Sequence, residues 1–234
     1  MVKNPAAQDP GPTVAAAIEL LIRQGYDSTP VEELADAAGI SRSTFFRKFG
    51  SKEDMVFADH ERILARVEAD LGDSTVDPLT AVAEAARMVF DQHVRNRETS
   101  LLRNQLLHQV PALRDRELVT THRYERSFRR HLQSTLPEAD REYATVAFAA
   151  GVVAVHNRVL RHWLQDAERG SDDRLDRTMA SRLGRELRAV VNIFRPALFP
   201  SAVPEPRRPA VLVTVLEPGV ATEEILEAVR EALA

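Results

Sequence analysis

The chain has 234 residues, a formal charge of −4 and 28% charged side chains, enough length for a small module beside a larger domain with a sizeable core. It contains no cysteine, which excludes disulfides and cysteine-ligated metal and fits a reducing compartment. The opening residues lack an apolar signal core, and the longest apolar run, 144–155, is shorter than the about 20 residues of a membrane span. A cytoplasmic protein with no membrane partner is therefore expected.

After a Pro-rich arm over 1–12, a helix is expected from Pro12 or Thr13, with Val14, Ala17, Ile18, Leu21 and Ile22 at helical spacing and an end near Gly25. Thr29 reads as the N-cap of the next helix, with Pro30 in its first position and Glu32 closing a capping box. Val31, Leu34, Ala35 and Ala38 form its apolar face, and Gly39 ends it in the left-handed conformation that glycine adopts without penalty. Ser41 then caps a short helix with Phe45 and Phe49 on the buried side and Arg42, Ser43, Thr44, Arg47 and Lys48 on other faces. Two helices about a tight glycine turn make a helix-turn-helix.

Ser51 caps a further helix expected over 51–71, stopped by Gly72. Asp77 and Pro78 open another, carrying Val82, Ala85, Ala86, Val89 and Phe90. Helices over 98–109, 113–136, 138–168 and 172–198 complete the body, the third apolar nearly all round over 143–155 and so covered on more than one side. Four prolines at 200, 204, 206 and 209 then make a stiff linker, followed by a strand over 210–216, a turn, and an amphipathic helix over 222–233. The expected fold is all-α: an arm (1–12), a three-helix module (13–58), a helical domain (59–199) and a strand-helix tail (200–234).

The segment Ala38-Gly39-Ile40-Ser41, with Ala35, Thr44, Phe45, Phe46, Lys48, Phe49 and Ser51-Lys52-Glu53, resembles the DNA-binding segment of the TetR family of bacterial transcriptional regulators. Upstream, residues 18–21, Gly25, Tyr26 and Thr29 are similar to that family's first helix and turn. The match is dense over about forty residues, far more specific than an isolated glycine-turn pattern, and covers the N-terminal quarter only. It implies a homodimer on a palindromic double-stranded operator, most simply a repressor released by a small-molecule effector. The alternatives are an activator or an architectural DNA-binding protein indifferent to any effector.

Arg42, Ser43 and Thr44 occupy the first turn of the recognition helix and are the expected base readers, with Arg42 suited to guanine. Phe46 stands where the family often has tyrosine, so it can offer only apolar contact to a sugar or a thymine methyl. Arg47 and Lys48 reach base or backbone; Lys52 resembles the family lysine that neutralises a phosphate, and Thr29 lies at a helix N-terminus where a phosphate can dock. Residues 1–60 carry six cations against nine acids, yet four of the six cations lie between 42 and 52. Local placement outweighs the net charge, because phosphate attraction decays over a Debye length of roughly 8 Å.

The resemblance also implies an effector, hydrophobic or anionic, within the helical body. Tyr124, Phe128, Phe148, His156, Asn157 and Trp163 are the candidate contacts, although a lone aromatic or histidine in a helical core is more often packing. Arg114, Arg116, Arg123, Arg126, Arg129 and Arg130 crowd one helix, as an anion site or, more commonly, a salt-bridged face. The family dimer is a four-helix bundle of the two long C-terminal helices, and the corresponding residues here are Ala147, Ala150, Gly151 and Ala154 on one and Leu183, Leu187, Val190, Val191 and Phe194 on the other. No phosphate-binding glycine loop, nucleophile elbow or metal-ligand spacing occurs in a suitable context, so no enzyme, cofactor or metal is expected.

Overall fold

The computed structural model describes residues 11–136, 142–170 and 172–199, and these form ten helices with no strand among them. The strand-turn-helix expected over 200–234 and most of the arm lie outside the described residues. α1 (Gly11–Gln24), α2 (Val31–Ala37) and α3 (Arg42–Phe49) form the N-terminal module. α1 begins two residues into the expected arm and buries Val14, Ala17, Ile18 and Leu21, the i, i+3, i+4, i+7 stripe that the sequence pattern predicts. Gly39 has φ +65°, as its place between α2 and α3 requires.

The expected start of α2 is corrected. Pro30 is the N-cap and no side chain caps the helix. Thr29 is fully buried, and its hydroxyl donates to the Gly25 carbonyl at 2.7 Å. The hydroxyl closes the preceding turn, so the capping box with Glu32 does not form. Ser41 does cap α3, accepting from the Thr44 backbone N–H at 3.2 Å.

The single helix expected over 51–71 is two. α4 (Lys52–Val56) is capped by Ser51, and α5 (Ala58–Gly72) starts anew after Phe57. At the break the Val56 carbonyl accepts from Arg103 Nε at 2.9 Å, and the His60 N–H turns to the Phe57 carbonyl at 3.0 Å. A side chain from a distant helix has taken the place of one rung of the helical ladder, and such an insertion breaks a helix without proline. The Phe57 side chain is buried at this joint.

The body follows as α6 (Pro78–Arg95), α7 (Arg97–Gln109), α8 (Pro111–Thr135), α9 (Glu142–Arg169) and α10 (Asp173–Leu198). Asp77 caps α6 with Pro78 in its first turn, as expected. Pro111 opens α8, where its missing N–H costs nothing. α9 is long and apolar enough to cross a membrane by length and composition, unlike the shorter run read from the sequence, yet Phe148, Val152, Val159 and Trp163 along it are buried in the body.

Two apolar cores result. One unites α5, α6 and α8–α10 around Phe90, Phe128, Phe148 and Trp163. The other unites α1–α4 with Leu106, Leu107 and Leu113, so α7 and the start of α8 complete the core of the N-terminal module.

Candidate nucleic-acid interface and body cavity

In α3, Phe45 and Phe49 are buried with ring centroids 5.2 Å apart, an edge-to-face pair that anchors the helix to the module. Anchoring these two positions four apart leaves the opposite arc to solvent. Arg42, Ser43, Phe46, Arg47 and Lys48 are exposed there, and Thr44 is half-buried. The Arg42 guanidinium lies 3.0 Å from Glu32 and over the Phe46 ring at 5.7 Å. Phe46 is 44% exposed, large for a phenylalanine in a helix with so much cationic surface. Lys52 is half-buried and donates to the Tyr26 carbonyl at 3.0 Å, above the Tyr26 ring. Its neighbour Glu53 accepts from the Tyr26 hydroxyl at 2.5 Å. Thr29, expected at a phosphate, is corrected: with no exposed surface, its hydroxyl cannot reach one without opening the turn.

A partly open cavity of about 80 Å³ lies in the body. Of the six expected effector contacts, Tyr124, Phe128, His156 and Asn157 line it. Phe148 and Trp163 do not. Phe148 is buried against Phe194 at 5.7 Å between ring centroids, and Trp163 donates from Nε1 to Asp176 at 2.8 Å while packing on Phe90. Both are core residues.

His60, His93, Phe57 and Arg103 line the same cavity and were not predicted. They come from three different helices or their junctions, so no local spacing in the sequence marks them. The ring centroids of His60 and His93 are 5.4 Å apart, and those of His93 and His156 6.2 Å. Burial pushes the His60 imidazole down to about 4 and holds His93 and His156 below their ordinary value. All three rings are thus neutral at pH 7.

Arg103 is buried with Asp59 at 2.5 Å. Burial alone would raise the Asp59 carboxyl, but the guanidinium outweighs it and keeps the group ionised far below the usual carboxylate range. One arginine thus holds the start of α5, the carbonyl at the α4–α5 break and, at 3.3 Å, His60 Nε2.

Three of the six crowded arginines of α8 form a salt-bridged face. Arg116, Arg123 and Arg130 pair with Asp54, Glu61 and Glu68, each set repeating every seven residues, so α8 runs alongside α4 and α5 with matching charges at heptad spacing.

The residues expected at a dimer contact divide. Leu183, Leu187 and Val191 are buried within the protomer core, because the stripe of α10 that the sequence offered faces α6 and α9 of the same chain, and so they are not available to a second subunit. Val190 and Phe194 are partly buried against that core, and Gly151 sits against Val190, where an added Cβ would meet the valine at 3.6 Å. Ala147 and Ala154 are exposed and Ala150 half-buried on the outer face of α9. Tyr143 on α9 and Ile193 on α10 are also exposed, at 73% and 71%.

A buried aromatic pair beneath an exposed cationic helix, after a left-handed glycine turn, defines a helix-turn-helix DNA-binding protein. Residues 14–58 match the family model described as bacterial regulatory proteins, tetR family. Over 81 residues the chain is 37% identical to the HTH-type transcriptional regulator TcmR of Streptomyces glaucescens, covering 33% of this chain and 35% of that protein. It spans about a third of the length of the curated relatives it matches.

Among solved structures, the fatty acid degradation regulator FadR from Bacillus halodurans superposes with a TM-score of 0.52 at 16% identity, covering 80% of this chain and 96% of that one. A putative TetR-family regulator from Mesorhizobium loti gives 0.51 at 19%, covering 82% and 98%. At these identities the likeness is one of fold. Residues 14–58 thus carry the N-terminal segment of the TetR family of bacterial regulatory proteins, and the described fold resembles that of TetR-family structures.

Proposed function

We propose that the protein is a homodimeric repressor that binds a palindromic operator through α3 and is released by a small molecule in the body cavity. The observation that carries the DNA half is the exposed set Arg42, Ser43, Phe46, Arg47 and Lys48 on a helix whose other face is locked by Phe45 and Phe49. Arg42 and Ser43, with Thr44, read base edges in the major groove; Phe46 meets a thymine methyl or sugar; Lys52 exchanges the Tyr26 carbonyl for a phosphate. The module comprises residues 13–58. Residues 59–199 bind the effector and a second subunit.

Affinity from so few cations calls for two half-sites one helical turn apart, about 34 Å, held by two-fold symmetry. The outer face of α9 and α10, with Tyr143, Ala147, Ala154 and Ile193, is the contact that supplies it. Release follows from where the cavity lies. Phe57 and His60 belong both to its wall and to the α4–α5 break, one short helix away from α3. The cavity volume of about 80 Å³ is smaller than the roughly 150 Å³ that admits benzene in a protein interior, so an occupant must displace its walls. Displacing this wall moves α4 and changes the separation of the two recognition helices, a shift of population between two arrangements.

Genomic footprinting locates the operator, and mobility shifts on it test the roles. Arg42→Ala should change sequence preference, and Lys52→Ala should weaken all sequences alike with a shallower salt dependence. If neither variant alters binding, α3 is not the reading element.

A further inference from the structure

The cavity wall carries a defined pattern of donors and acceptors, and it specifies the chemistry of the occupant. Arginine can only donate, so the 3.3 Å contact from Arg103 makes His60 Nε2 an acceptor and puts the His60 proton on Nδ1. That proton is donated to the Tyr124 oxygen at 3.1 Å. Tyr124 must then direct its own hydrogen elsewhere, and its nearest protein acceptor, the His60 carbonyl, is at 3.5 Å, too long for a strong bond. The cavity therefore holds one underused hydroxyl donor.

One lining residue, His156, also carries an unused acceptor. His156 Nδ1 donates to the Asn157 side-chain oxygen at 3.0 Å, which leaves the lone pair on Nε2. That nitrogen is buried with no partner, in a residue only 8% exposed. A buried acceptor left unpaired is costly, and a ligand hydroxyl satisfies it.

Charge and shape narrow the class further. The one cation in the wall, Arg103, is neutralised by Asp59 at 2.5 Å, and Glu117 stands at the rim, so nothing in excess attracts an anion. The wall is rich in rings, from Phe57, Phe128, Tyr124 and the histidines, which suits the face and edge of another ring.

We propose that the effector is a neutral aromatic compound bearing a hydroxyl group, its O–H donated to His156 Nε2 and its oxygen or a second acceptor taken by Tyr124. This rests on the effector half of the function above and narrows its chemistry from hydrophobic or anionic to neutral and phenolic. A phenol suits both contacts because its oxygen donates and accepts at once, and its O–H is a stronger donor than that of an alcohol.

The test uses the full chain and four probes, phenol, toluene, benzoate and cyclohexanol, in ligand-detected NMR titration without DNA and in mobility shifts on the operator. Toluene has the shape of phenol and is more apolar, so a site governed by burial alone prefers it. The expected result is phenol bound about tenfold more tightly than toluene, the worth of one satisfied buried hydrogen bond, and more tightly than benzoate and cyclohexanol. In His156→Phe, which keeps a ring but removes the acceptor, the order of phenol and toluene should reverse; in Tyr124→Phe the preference should shrink. The proposal is overturned if toluene binds wild type as well as phenol does, if benzoate or cyclohexanol equals phenol, or if His156→Phe leaves the ratio unchanged. Failure of phenol while benzoate binds and frees DNA removes this proposal and leaves effector release standing. Phenol binding that never frees DNA does the reverse.

Discussion

In the N-terminal module most polar side chains bond within a turn of themselves, whereas in the body such local bonds are joined by about as many that cross the chain. Ser41 and Ser51 each accept from a backbone N–H three residues on, and Thr29 donates to a carbonyl four residues back. In the body, Arg103 meets Asp59 over 44 positions, Tyr124 meets His60 over 64, and Arg195 meets Asp77 over 118. Local bonds define a surface of fixed shape; distant ones connect elements that are free to shift relative to one another. A recognition helix needs the first, and a site that reports its occupancy needs the second.

The largest test of this contrast is Arg103→Met. It leaves Asp59 without its partner in the interior, where burial pushes the carboxyl up, and frees the Val56 carbonyl at the helix break. Breaking a buried pair on one side costs about 3–5 kcal/mol, so the urea midpoint should fall steeply. The double variant Asp59→Leu/Arg103→Met removes both charges and should recover much of that loss, while the proposed release of DNA by a ligand, if transmitted through the joint, should not return. Full recovery of both would mean the pair matters only for charge balance.

Acid should act next, and on the body first. His60, His93 and His156 have folded values depressed by burial, His60 to about 4, so below about pH 6.5 the unfolded chain binds more protons than the fold. Their stabilisation is complete above pH 6.5 and is lost as pH falls through the folded values, with a slope of at most about 1.4 kcal/mol per pH unit for each histidine. Asp59, held low by Arg103, contributes its loss only at far lower pH. Urea midpoints at intervals from pH 8 to 5 should decline, and His156→Phe should flatten the curve by one histidine. An unchanged slope in that variant would place the titration elsewhere.

The same contrast explains what could be read from the sequence. Gly39, Ser41, Phe45 and Phe49 declare their roles by spacing alone, because caps, turns and i, i+4 pairs are local. The all-α class was legible for the same reason, through apolar periodicity and proline or aspartate starts. Thr29 misled because a threonine before proline looks like a cap, whereas its hydroxyl is used backward, on Gly25. The split at Phe57 was invisible since its cause, Arg103, lies 47 positions from Val56. Leu183, Leu187 and Val191 formed a proper apolar stripe, but a stripe does not say whether it meets its own chain or another. Of the histidine wall only His156 was legible; His60 and His93 come from two other helices, and no spacing links them to it. Phe148 and Trp163 were indistinguishable from it by residue type.

The smallest expected effect isolates the local side of the comparison. Gly39 has φ +65°, and a Cβ built there meets nothing within 4 Å, so Gly39→Ala has no clash to relieve and only the backbone conformation to pay for. The cost is about 1–2 kcal/mol, the left-handed penalty of an L-residue. Because α2 and α3 share their core with α7 and α8, a loss of this size should lower the melting temperature by a few degrees without separating module from body. Operator affinity should drop more than the stability loss implies, since the turn sets the angle at which α3 is presented. Equal affinity at reduced stability would show that Gly39 serves the fold alone, and that the angle is fixed by Phe45 and Phe49.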